Sequence, residues 1–115
     1  MRRAILIIAT LAVGLAVSNP VATGRATKNV EVDDDFFSPS SLTIKEDNRV
    51  RFTWVGENEH NVYKDSGPGP YFESDSAEGA GFVYTRKFKK PGRYILGCIL
   101  HEDMDLALRV KRREN

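Results

Sequence analysis

The run Tyr94-Ile95-Leu96-Gly97-Cys98-Ile99-Leu100-His101-Glu102-Asp103-Met104 decides the fold. Tyr94, Leu96 and Cys98 share one parity before the polar turn, and Leu106, Leu108 and Val110 share one after it. Apolar residues at every second position mark a strand with one face on a core. Two such strands are therefore joined by a turn, with a tight Pro91-Gly92 turn ahead of them. Upstream, Phe82, Tyr84 and Phe88 share a parity around Thr85-Arg86-Lys87. Val50, Phe52 and Trp54 alternate with Arg51 and Thr53, Leu42 pairs with Ile44, and Val30 pairs with Val32. Ser38-Pro39-Ser40, Glu46-Asp47-Asn48 and Gly56 to Glu59 punctuate these runs as turns or loops. His60 to Lys64 reads as one further strand, and Asp65 to Gly81, rich in Gly, Pro, Ser and acids, as a long surface loop. No segment after Ser18 has a 3.6-residue period, and no repeat or second domain is visible. The pattern predicts one all-β domain over residues 28–113, a sandwich or barrel of about seven to eight strands.

The N-terminus reads differently. Met1-Arg2-Arg3 is a short basic start, and Ala4 to Val17 is a 14-residue run without a charge. That combination suits a signal peptide, with small residues for cleavage at Ala16-Val17-Ser18 or, more weakly, Gly24-Arg25-Ala26. A signal over residues 1–18 and a short linker over 19–27 are expected. An uncleaved anchor is the rival reading, and only that one brings a membrane into play. Arg2-Arg3 also loosely resembles a twin-arginine export signal. Either route predicts an exported protein in the periplasm or on the extracellular face of a membrane.

The chain has 115 residues and a formal net charge of +1. Without Arg2 and Arg3 the 17 basic residues become 15 against 16 acidic ones, a net of −1. Such a balance argues against nucleic acid as a partner, which requires a basic field. One cysteine can form neither an internal disulfide nor a four-cysteine zinc site. What remains for chemistry is a small inventory: Cys98, His60, His101 and one internal methionine, Met104.

Three of the four fall within seven residues on the turn between the last two strands. Taken singly, Cys98 can fill a core, His101 can face solvent, Met104 can fill a gap and His60 can sit in a loop. Taken together, one thiolate, two imidazoles and one thioether form a ligand set suited to a copper ion cycling between Cu(II) and Cu(I). Soft sulfur ligands favour Cu(I), imidazole serves both states, and little rearrangement is then needed on electron transfer. Export adds weight, because an unpaired thiol in an oxidising compartment is a liability unless buried or coordinated.

At this point the sequence resembles the cupredoxins, the small blue copper proteins. The 94–104 run is similar to their C-terminal ligand loop, and its C-x₂-H-x₂-M spacing is that of the short amicyanin-type loop, not the longer plastocyanin one. Glu59-His60-Asn61-Val62 resembles the segment carrying the first histidine. Phe37-Ser38-Pro39, Leu42-Thr43-Ile44 and Val50-Arg51-Phe52-Thr53-Trp54 resemble the opening strands, and Pro91-Gly92-Arg93-Tyr94 the approach to the cysteine strand. The resemblance spans about Val30 to Val110. It implies a Greek-key β-sandwich and one type 1 copper ion held by His60, Cys98, His101 and Met104. It also implies that Asn61 braces the two ligand loops. The implied activity is not enzymatic: a monomer passes single electrons between redox partner proteins that dock transiently near His101.

Three departures accompany the resemblance. Leu106 stands where the family commonly has glycine, Glu102 and Asp103 replace apolar or proline residues, and the Glu46-Asp47-Asn48 turn lacks a common glycine. The acids suggest a docking rim of Glu102, Asp103 and Asp105, joined by Glu57 and Glu59, that meets a basic partner surface. The plainer reading is that they keep a loop soluble. A copper module for delivery, buffering or sensing is the alternative function. A thiol hydrolase built on Cys98 is weaker, because cysteine and histidine so close on one turn suit ligation.

Overall fold

The computed structural model describes residues 26–114, so the expected leader, its cleavage points and the linker up to residue 25 lie outside the described residues. Ten strands follow in order: β1 (Thr27–Asp33), β2 (Phe36–Ser38), β3 (Ser41–Lys45), β4 (Arg49–Trp54), β5 (Glu59–His60), β6 (Tyr63–Ser66), β7 (Ala77–Glu78), β8 (Val83–Lys87), β9 (Gly92–Cys98) and β10 (His101–Lys111). One sheet has the order β2-β1-β4-β8, the other β3-β10-β9-β6, and β5 pairs with β7 alone. Both large sheets are mixed: β1 runs parallel to β4 and β10 parallel to β3, the remaining pairs being antiparallel. The all-β expectation holds, and the higher strand number comes from the short β2, β5 and β7.

Alternation builds the core. Val50, Phe52 and Trp54 of β4 are buried, and the parallel register sets Val30 beside Phe52 and Val32 beside Trp54. From the other sheet, Leu96 and Tyr94 of β9 meet Leu106, Leu108 and Val110 of β10 in the same cluster. Met104 keeps the inward parity of Leu106, which buries it while Asp103 and Asp105 face out. Each fully buried large apolar side chain contributes roughly 1.5–3 kcal/mol of transfer free energy. Aromatic contacts add to this: Phe37 meets Phe52 edge-on at 6.3 Å, and Trp54 meets Phe82 at 4.8 Å.

Two turns and the bulge of β10 are solved by aspartate. Asp35, Asp47 and Asp103 all take positive φ, at 73°, 72° and 55°. Aspartate visits the left-handed region more readily than most residues, because its short polar side chain finds local hydrogen bonds there. The turn at residues 46–48 therefore needs no glycine. Leu106, for its part, is wholly buried opposite Leu96.

Two expectations change in detail. His60 to Lys64 is not one strand but β5 and β6, separated at Asn61 and Val62. The ladder breaks because the backbone donors there go to side chains: Val62 N–H to Ser74 Oγ at 2.9 Å and Asn61 N–H to Cys98 Sγ at 3.5 Å. The segment from 65 to 81 is also not merely a surface loop. Phe72 and Ser74 are buried, and Phe72 packs edge-on against Phe88 at 5.8 Å with the Arg86 guanidinium 4.0 Å over its ring. The buried Lys64 ammonium donates to the carbonyls of Gly67, Pro68 and Gly69, tying the turn down. Composition reads this stretch as polar, and one phenylalanine carries no period by which to see its anchoring.

Candidate metal centre

The centre lies where the β9–β10 turn meets β5. Cys98 ends β9 and His101 begins β10, and the two are cross-strand partners before a bulge that runs to Asp105. His60 ends β5, held from behind by Trp54, whose indole N–H donates to the carbonyls of His60 and Ala77, both at 3.2 Å. The ligand atoms of His60, Cys98 and His101 all lie within 4.8 Å of one another. His60 Nδ1 is 4.0 Å from Cys98 Sγ, and the two imidazole rings are 4.7 Å apart. Met104 belongs to the same buried cluster as Cys98. His60, Cys98 and Met104 are 0%, 4% and 1% exposed, whereas the His101 side chain is 29% exposed. Three donors are thus sealed from water and one shows an edge to it.

Asn61 links the two loops. Its side-chain oxygen accepts the Ile99 N–H at 2.9 Å, and its amide donates to Glu73 at 3.4 Å. Its own N–H points at the Cys98 sulfur. Both nitrogens of His101 have contacts as well: Nε2 with the Glu59 carbonyl at 3.0 Å and Nδ1 with Asp35 at 3.4 Å. A metal bound through either nitrogen would replace one of those contacts.

Sequence reasoning missed the acid behind His60. Asp34, in the β1–β2 turn, lies 3.0 Å from His60 Nε2 and accepts the N–H groups of Glu57 and Asn58 at 2.8–3.1 Å. These donors, the Glu57 N–H first and then the histidine, hold its carboxyl down at about 2. An ionised carboxylate only accepts, so in the neutral ring Nε2 carries the proton and Nδ1 offers its lone pair on the Cys98 side. In the sequence, Asp33 to Asp35 reads as a solvated acidic cluster. Nothing local ties it to a histidine 26 positions away.

The acidic residues divide into two places. Glu102 and Asp103 are exposed in the bulge of β10 next to His101, with Glu57 and Glu59 exposed on the segment leading to His60. Asp105 lies in register with Gly97 and Tyr63 on the outer face of the second sheet. There, burial and the charges of Asp65 and Asp105 raise the Tyr63 phenol above its ordinary value. Between Cys98 and His101, Ile99 and Leu100 are 55% and 49% exposed, an apolar spot next to the half-open histidine.

No protein-family model matches the sequence, and no curated protein matches it either. Solved structures do. A mutant plastocyanin of a fern is 30% identical, with 72% of this chain and 99% of that one covered at a TM-score of 0.62. A purple cupredoxin from Nitrosopumilus maritimus is 20% identical over 73% of this chain and 99% of its own, at a TM-score of 0.64. A copper-containing nitrite reductase from Thermus scotoductus SA-01 is 25% identical over 90% of this chain, at a TM-score of 0.65, but this chain spans only 25% of that enzyme's length.

The fold and these likenesses define a small copper-protein domain, and the chain belongs to the cupredoxin family. One copper ion is the cofactor that this family and this donor set specify. The residues fit it: a buried thiol, two imidazoles and a buried thioether offer soft and borderline donors with no carboxylate among them.

Proposed function

We propose that this protein is an exported one-electron carrier whose copper is held by His60 Nδ1, Cys98 Sγ, His101 and Met104 Sδ. The observation that carries the proposal is the convergence within 4.8 Å of a cysteine and two histidines from two separate segments, one imidazole being the exposed member. The bound copper would supply a one-electron Cu(II)/Cu(I) couple. The protein's own part is to hold the donors and exclude water. Cys98 and His60 are fixed by β9, by Trp54 and by the Asn61 brace, so both sides of the site come from sheet-anchored backbone rather than one loop. His101, with Ile99 and Leu100 around it, offers the place where a redox partner approaches closely, and Glu102 and Asp103, with Glu57 and Glu59, form an acidic rim that steers a basic partner to it. Asp105, on the outer face of the second sheet, stands apart from that rim. Burial of three donors supports retention of the metal over delivery to another protein. The charge-free run from Ala4 to Val17 supports export, and the whole enzyme activity of the longer nitrite reductase is not carried over to a chain a quarter of its length.

The test is to add Cu(II) to the purified domain and record the visible spectrum. An intense thiolate-to-copper band, abolished in Cys98→Ser and followed by reversible one-electron cycling, is the expected result. A colourless product under non-reducing conditions would overturn the reading, and ready loss of copper to a weak chelator would favour a delivery role instead.

A further inference from the structure

We propose that Asp34 is a positioning residue of the metal centre: its carboxylate holds the His60 ring with Nδ1 toward Cys98 and sets a negative charge behind that ring. The inference rests on the ligand assignment above and deepens it. Four observations carry it. The carboxylate oxygen Oδ1 is 3.0 Å from His60 Nε2, the nitrogen pointing away from the sulfur. The same carboxylate also accepts the Glu57 and Asn58 N–H groups, three donors in all that orient it toward the histidine. His60 is wholly buried while Asp34 is part-exposed, so no other side chain among the described hydrogen bonds occupies Nε2. Finally, Gly56 is buried directly against Asp34. A Cβ built there would stand 2.6 Å from the Asp34 Cγ and 2.8 Å from its backbone nitrogen, distances real side chains do not tolerate. The seat of this carboxylate therefore depends on a residue without a side chain, on a different segment from either partner.

A carboxylate behind a ligating imidazole fixes its tautomer and makes it a better donor. The negative charge also interacts more strongly with a doubly than with a singly charged metal ion, so it favours the oxidised state and lowers the reduction potential. Asparagine separates the two effects. Asp34→Asn keeps Oδ1, which takes the contacts to Asn58 and His60 and the longer one from the Glu57 N–H, and removes the charge together with the Oδ2 acceptor of that N–H. Asp34→Ala removes both. Gly56→Ala leaves the charge in the chain and unseats it.

The experiment uses the mature protein and these three variants. In the copper-free state, ring nitrogen chemical shifts report the His60 tautomer; in the copper-loaded state, competition gives Cu(II) affinity and voltammetry the potential. Wild type should show a protonated Nε2. Asp34→Asn should keep that tautomer and raise the potential. Asp34→Ala should lose the tautomer preference and bind Cu(II) about 10–100-fold more weakly. Each tenfold loss of Cu(II) relative to Cu(I) affinity reads as about 59 mV of potential. Gly56→Ala should shift the potential the same way as Asp34→Ala. Wild-type potential in Asp34→Asn together with an unchanged tautomer in Asp34→Ala overturns the proposal. Should Asp34→Ala not fold, wild-type potentials in both Asp34→Asn and Gly56→Ala overturn it equally. A wild type without a thiolate–copper band would instead refute the ligand assignment, while the copper-free tautomer still reads out what Asp34 does.

Discussion

Replacing Asn61 by alanine tests whether the two ligand loops are held together by one side chain. Asn61 is almost fully buried, and its oxygen accepts the Ile99 N–H at 2.9 Å, one residue past Cys98. Alanine leaves that half-buried N–H without its partner, which costs about 1–3 kcal/mol. The second contact, from the Asn61 amide to the exposed Glu73 at 3.4 Å, is long and adds little. Taking about 2 kcal/mol for the whole change, and about 4–8 °C per kcal/mol for a domain of this size, the copper-free protein should melt about 8–16 °C lower. Circular dichroism of the copper-free domain measures this without interference from the metal. Asn61→Asp is the companion variant: it keeps an acceptor for Ile99 but buries a carboxylate facing the like charge of Glu73, so its loss at neutral pH should be at least that of alanine and should shrink as pH falls and the pair can share a proton. The N–H that points at the Cys98 sulfur belongs to the backbone and survives both changes. The copper-loaded variants should therefore keep a thiolate band near the wild-type wavelength even as they melt earlier. A melting point for Asn61→Ala within about 2 °C of wild type would refute the idea that this hydrogen bond holds the loops in register.

Three further outcomes follow from the same geometry. Leu106→Ala should cost about 2–5 kcal/mol, read as a lowered urea midpoint, because Leu106 is wholly buried and its removal leaves a cavity opposite Leu96; a loss below about 1 kcal/mol would mean that β10 closes over the gap. Neutralising the rim with Glu102→Gln and Asp103→Asn should slow electron transfer to a basic redox partner at low salt and matter little at high salt, whereas a faster rate at low salt would sink the steering role. Burial raises the Tyr94 phenol above its ordinary value of 10.0, and its hydroxyl donates to the Lys90 carbonyl at 2.6 Å. A folded value above the unfolded one means that the contribution is complete below pH 10 and is lost as pH rises through the folded value. Absorbance at alkaline pH, with Tyr94→Phe subtracted, should show this phenol ionising after an ordinary tyrosine, and ionisation together with free tyrosine would contradict it.

The strands were legible where a buried face repeats at every second residue. Val50, Phe52 and Trp54, or Leu106, Leu108 and Val110, announce their sheet positions because exposed neighbours such as Arg51 and Arg109 separate them. Segments that use the chain differently were less legible. The break between β5 and β6 occurs because Asn61 and Val62 give their N–H groups to a sulfur and a serine oxygen, and no pattern of apolar residues encodes a choice of hydrogen-bond acceptor. The burial of Phe72 depends on Phe88 and Arg86, which arrive from another strand. Scarcity made the candidate ligands visible. With one cysteine, two histidines and one internal methionine, there was little else to choose from.

Asp34 had the opposite standing, as one of 16 acidic residues in a cluster that composition assigns to solvent. Its role is defined by three contacts 23, 24 and 26 positions away, to Glu57, Asn58 and His60. A single sequence can carry such a constraint only through what it forbids at the other end. Gly56 is that trace: alone it reads as an ordinary loop glycine, yet any side chain there meets the Asp34 carboxylate. The same logic makes Gly56→Ala more informative than a charge change. It alters neither a proposed ligand nor the net charge, so a potential displaced in that variant in the same direction as in Asp34→Asn would point to the placement of the carboxylate. It would thereby separate where the charge sits from whether it exists.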